Sequence, residues 1–347
     1  MRLADRIAQY RTPFIVENTK NGSVTQLNNA ATFVKDIHGC ATRYVLNDEL
    51  VRLCTALAYS KGAGTLACAD LLHVPAERVW VEWAEAPWRA ELARYGFHGP
   101  VDSAISGRRG ILIQSTPQGR RGLLRTFWAE GESDSEVLSS SMEAYFDFDV
   151  REDDDLDALG PKQGIRVSDT AVGDADILRR CFRFRFERSW QDYYDRAQLT
   201  PSQTNAISQH ALGTIAIDIP VLLAFFLLLA TRPGLPRRPL MLERLNRARA
   251  RSGKAALLDH IEVSAPLLPE YKSEGAGGSE VSRRSCRLHH VRGHLVRRGS
   301  TLFWRVPHLR GNARAGSIRT RTVTWQFEPS FSSARPGVAE PSGAHLS

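Results

Sequence analysis

Cysteine is scarce in this 347-residue chain, and its five cysteines, Cys40, Cys54, Cys68, Cys181 and Cys286, form no C-x-x-C pair. That spacing indicates neither a disulfide framework nor a structural zinc site, and it suits a reducing cytoplasm. The opening residues, MRLADRIAQYRTPF, lack an apolar core and a small-residue cleavage site, so no secretory signal is expected. Internal repeats are also missing. Lysine is rare, and the net charge of +8 is carried overwhelmingly by arginine. Between Val281 and Trp325 stand eleven arginines with no lysine and no acidic residue. The opposite bias marks 130–157, where Asp147, Asp149 and the run from Glu152 to Asp155 concentrate negative charge. Such asymmetry points to an anionic partner for the C-terminal part, or to docking of that part on the acidic one.

What is present is ordinary for a globular protein: 42% apolar and 24% charged residues, over a length that accommodates two domains or one large one. Apolar residues at three- and four-residue steps predict helices over 27–37 and 48–60, with a small, apolar segment at 63–72. Alternation predicts strands at 78–84 (RVWVEWA), 109–115 (RGILIQS), 123–130 and 140–150, with a short helix from Pro87 to Arg94 that ends at Gly96. The segment 178–197, LRRCFRFRFERSWQDYYDRA, suits either a strand leading into a helix or one long helix, and the helical spacing that puts Phe182, Phe186, Trp190 and Tyr193 on one face favours the helix.

The most hydrophobic stretch is 211–230, ALGTIAIDIPVLLAFFLLLA, long enough to span a bilayer. Asp218 near its middle would cost roughly 2.5–3.5 kcal/mol at bilayer depth, and only ten apolar residues follow Pro220. A buried helix capped by Asp218 is therefore the expectation, and membrane partnership is not. A basic helix through Arg251 with Gly253 as its C-cap follows, then a strand at 261–268 and a linker at 272–280. Further strands are expected through 289–311 and 317–327.

Three places invite a chemical reading. GAGTLA (62–67) resembles a phosphate loop only superficially, because a helix and not a strand precedes it. Glu143, Asp147 and Asp149 could hold Mg²⁺, but the same pattern suits the solvated face of an amphipathic strand. Cys286, His289, His290 and His294 have no metal-ligand spacing, since His289 and His290 point to opposite faces of a strand. No metal and no cofactor are expected. His294 and His308 could serve a metal-independent nuclease as acid and base, yet in a hairpin turning at Gly299-Ser300 they fall three residues out of register. An enzyme is thus the less favoured reading.

Binding of DNA or RNA fits 289–311, HHVRGHLVRRGSTLFWRVPHLRG, better. Arginines beside aromatic side chains on a sheet grip phosphates and stack bases. The expected contact residues are Arg292, His294, Arg297, Arg298, Trp304, Arg305, His308 and Arg310. The alternative of another class is a non-enzymatic interaction or assembly protein, whose basic module meets a protein partner or the chain's own acidic 143–157 segment.

Four pieces, VWVEWAE (79–85) with the GILIQS strand, LNRARARSGKAALLDH (245–260), VRGH (291–294) and W-x₂-PHLRG (304–311), resemble an uncharacterised family of bacteriophage and prophage proteins. The resemblance implies a phage or prophage origin and a soluble protein of the host cytoplasm; it assigns no activity and no catalytic residue. The fold class expected is α+β: N-terminal helices with antiparallel strands (1–160), a helical middle with a buried apolar helix (161–260), an arginine-rich β module (261–327) and a disordered tail (328–347).

Overall fold

A computed structural model describes residues 2–9, 15–18, 24–27, 30–59, 66–96, 107–129, 137–150, 175–231, 234–265, 287–291, 294–305, 308–310 and 312–317. The linker at 272–280, the strand beyond 317, the tail, Arg292 and Cys286 lie outside them. The elements run α1 (Leu3–Ala8), β1 (Ile15–Asn18), β2 (Val24–Leu27), α2 (Ala30–His38), β3 (Thr42–Leu46), α3 (Asp48–Tyr59), a 3₁₀ turn (Leu66–Leu71), β4 (Arg78–Ala84) and α4 (Glu85–Ala93). They continue with β5 (Arg108–Ser115), β6 (Arg121–Ala129), β7 (Leu138–Ser139), β8 (Met142–Asp147), α5 (Ala175–Cys181), β9 (Phe182–Phe186), α6 (Arg188–Arg196), α7 (Pro201–Ala216) and α8 (Ile219–Leu229). The last are β10 (Arg237–Leu240), α9 (Glu243–Arg251), β11 (His260–Val263), β12 (Arg287–Val291), β13 (His294–Arg298), β14 (Thr301–Arg305), β15 (His308–Arg310) and β16 (Asn312–Ser317). The fold is α+β.

One large mixed sheet, in the order β10-β11-β3-β4-β5-β6-β7-β1-β2 with β8 and β9 branching from β6, organises the main body. Helices cover both of its faces. Val79, Val81 and Trp83 of β4 join a core built with Val51, Ile215 and the α8 side chains, while Trp80 joins a smaller core with Leu3, Ile7, Phe33 and Ile37. A strand buried on both faces loses the polar alternation of a half-exposed one. Glu82, on the same side of β4 as Trp80, is accordingly fully buried.

Local chemistry sets the helix ends. Asn47 caps α3 by accepting the Leu50 N–H at 2.9 Å, and Asp48 and Glu49 fill its first turn. Thr200 and Gln203 form a capping box before α7. The turns after α4 and α9 use Gly96 and Gly253 at positive φ, as expected.

Several expectations need correction. The long helix over 178–197 is instead helix, strand and helix. Phe182, Phe184 and Phe186 turn inward at a period of two, and β9 pairs antiparallel with β8; the four-residue spacing of Phe182 and Phe186 satisfies either period. The strand β3 falls between the expected helices at 27–37 and 48–60 and pairs parallel with both β4 and β11, so the sheet is not purely antiparallel. Consequently the expected boundaries near 160 and 260 do not separate compact bodies, for strands on both sides of each share one sheet. The apolar run is a helix packed inside the body, with every residue from Ile219 to Leu228 buried. Asp218 precedes it, but its carboxylate makes no capping bond and reaches Arg109 instead.

The chain divides into two compact units. The β13–β14 hairpin belongs to the main body. The second unit is built around β12, which pairs parallel with β16 and lies between β15 and β16.

Candidate nucleic-acid interface

The hairpin forms where the sequence places Gly299-Ser300 between two alternating stretches, and Gly299 adopts the positive φ that the turn requires. Its register pairs His294 with Arg305, Leu295 with Trp304, Val296 with Phe303, Arg297 with Leu302 and Arg298 with Thr301. Directly opposed residues share a face, so the hairpin has two distinct sides.

One side docks on the body. Leu302 is buried in the main core, and Leu295 and Trp304 pack against it while partly exposed. Arg297 on the same side holds Asp70 through two hydrogen bonds of 2.8 and 2.6 Å, the bidentate geometry available to arginine and not to lysine. Arg297 and Trp304 therefore lie on the side that meets the body, apart from His294, Arg298 and Arg305. The other side presents His294, Arg298 and Arg305, all exposed, around the half-buried Val296, Thr301 and Phe303. The Arg298 guanidinium lies 6.0 Å from the Phe303 ring centroid. Phe303 is not among the expected contact residues. Strand alternation separates it from Trp304, but the core pocket for Leu302 and the contact with Asp70, more than two hundred residues away, decide which side faces outward.

The ladder ends at the His294–Arg305 pair, and His308 and Arg310 fall on β15, so the two histidines are not cross-strand neighbours. Among the described residues no group of three or more His, Cys, Asp or Glu side chains is placed to hold a metal. The acidic strand is self-contained in charge. Buried Glu143 is gripped by Arg125 and Arg185 at 2.8 Å each, Asp147 meets Arg121 at 3.0 Å and Asp149 meets Arg120 at 2.7 Å. These partners come from β6, β9 and the turn before β6; the 151–157 stretch lies outside the described residues. A cavity of about 430 Å³ beside Asp147 and Arg121 contains Cys181. Burial pushes that thiol up to about 11, so it is protonated at neutral pH and is no nucleophile.

The strongest buried electrostatics lie elsewhere in the body, where no sequence pattern marks a site. Arg109 of β5 stands between Asp218 at 2.8 Å and Glu85 at 3.3 Å, with its guanidinium 4.2 Å from the Trp88 ring centroid. Arg89 adds a 2.7 Å contact to Glu85. Burial raises the Asp218 carboxyl to about 6, against the opposing pull of the Arg109 charge. A second buried carboxylate, Glu82, accepts from the Ala4 N–H, the Trp80 indole and Arg108. These groups join α1, β4, β5, α4 and the α7–α8 junction, and the arrangement is one of attachment between elements.

Compared with family models, curated proteins and solved structures, the chain matches none.

Proposed function

We propose that this protein binds nucleic acid through the outward side of the β13–β14 hairpin, with Arg298, Arg305 and His294 contacting phosphates and Phe303 stacking on a base. The carrying observation is that two arginines and a histidine surround the half-buried ring of Phe303, with no acid on that side among the described residues. An aromatic ring flanked by guanidinium groups favours a single strand, whose bases are free to stack. Phage or prophage origin belongs to the same reading and rests on the resemblance of the four sequence pieces alone.

An electrophoretic shift across salt with single-stranded DNA and RNA of the same sequence tests this. Wild type should bind at low salt and weaken as salt rises. Phe303→Ala should weaken binding by about tenfold, as expected when one base loses its stacking platform. Arg298→Ala combined with Arg305→Ala should flatten the salt dependence by roughly 0.7 in log–log slope for each phosphate no longer neutralised. Absence of low-salt binding, or binding indifferent to salt, rejects the reading. Association with a protein partner that survives nuclease treatment, without any oligonucleotide shift, would favour an assembly role.

A further inference from the structure

The helix α9 buries none of its side chains. A nine-residue helix that buries no side chain is not stable alone, and this one is held by explicit hydrogen bonds. The Leu242 N–H donates to Asp259 at 2.6 Å, the Asn246 amide exchanges two bonds of 2.8 Å with Leu257, and Arg249 donates to the Ala255 carbonyl at 2.7 Å. The helix is thus fixed by one edge and presents its remaining surface outward.

That surface has a pattern. Met241 (74% exposed) and Leu245 (46%) are the only exposed large hydrophobic residues among those described. Met241 stands just before the first turn of α9 and Leu245 stands within that turn, with Ala248 three residues further along the same helix face as Leu245. Arg244, Arg247 and Arg251 run alongside at steps of three and four. Over 237–254 the chain carries seven arginine or lysine residues and one acid, Glu243.

We propose that this ridge docks on an anionic lipid surface, with Met241 and Leu245 entering the headgroup region and the flanking arginines meeting lipid phosphates. A cluster of basic residues on an amphipathic helix is the arrangement that anionic leaflets attract. Nucleic acid would satisfy the cations but offers the two apolar side chains no comparable environment. A protein groove would satisfy both, but a stable interface recruits about 20–30 residues from each side, and a nine-residue helix with Leu245 on it and Met241 just before it supplies far fewer. The assignment does not rest on the hairpin.

The test is co-sedimentation of the full chain with phosphatidylcholine vesicles, with and without phosphatidylglycerol. Wild type should sediment only with the anionic vesicles. Met241→Ser/Leu245→Ser should reduce that partition by about tenfold, and Arg244→Glu/Arg247→Glu should abolish it. Both variants should keep the wild-type circular dichroism and melting curve, because the altered side chains are exposed. Wild type left in the supernatant overturns the proposal. So does full binding by the Met241/Leu245 variant, which would mean general adsorption of a basic molecule. Loss of oligonucleotide binding in that variant, with vesicle binding intact, would reassign the ridge to nucleic acid.

Discussion

Asp218 and Glu85 are two buried carboxylates that share one guanidinium, and only Glu85 has a second cation beside it. The imbalance is visible in Asp218, raised from 3.8 to about 6 mainly by burial. Its folded form holds the proton more tightly than the unfolded chain does. The resulting stabilisation is fully present below pH 3.8 and is lost as pH rises through about 6, a change of about 3 kcal/mol. Asp218→Asn should remove that loss, so its urea midpoint should change less than wild type's between about pH 4 and pH 7. Arg109→Met leaves both carboxylates without the shared cation and should cost about 3–5 kcal/mol at neutral pH, part of it recovered at about pH 5. A midpoint for Arg109→Met that does not change with pH would show that the carboxylates relax to solvent.

At the scale of elements, the same geometry that makes the sheet also restricts it. Gly110 lies opposite Glu82 on β4, and a Cβ there would sit 2.2 Å from the Trp80 ring. Trp80 cannot retreat easily, because it is buried between α1 and α2 and its indole N–H donates to Glu82 at 2.8 Å. Gly110→Ala should therefore destabilise by about 3 kcal/mol, and adding Trp80→Phe should restore part of the loss in a thermal melt. Failure of the second substitution to help would place the strain in the backbone.

Elements with one clean period were legible in sequence: the alternating β4, β5 and β6, the apolar α8 and the hairpin with its turn. The four-residue strands β1, β2 and β10 were not, nor were β3 and β9. In β3 five residues between helices are too few to display a period, and in β9 the Phe spacing served two. The hairpin's alternation was readable, but its orientation depends on Asp70 and on a core pocket for Leu302, contacts that no local pattern announces. The Arg109 pairings were hidden for the same reason, since Asp218 stands 109 residues away along the chain.

For the whole molecule, distant residues complete the sheet and also brace the N-terminal helix. β11 pairs parallel with β3, Val263 is buried, and its carbonyl accepts the Asn47 N–H at 3.0 Å. Just before it, the Leu258 N–H donates to Asp5 at 2.7 Å and the Ala256 carbonyl accepts from Gln9 at 3.0 Å. A chain ended after Leu235 would leave the β3 ladder unpaired along one side, a template for association with other chains, and would leave α1 without these braces. It should be insoluble or melt without a cooperative transition. A chain ended after Ala265 keeps β10, β11 and the braces. It loses the hairpin, whose one fully buried side chain is Leu302. That shorter body should stay soluble and melt cooperatively within several degrees of the full chain, yet bind single-stranded oligonucleotide far more weakly. Equal solubility and melting for both truncations would refute the view that β11 is integral to the body while the hairpin is an attachment to it. Full oligonucleotide affinity in the longer truncation would move the binding surface away from the hairpin altogether.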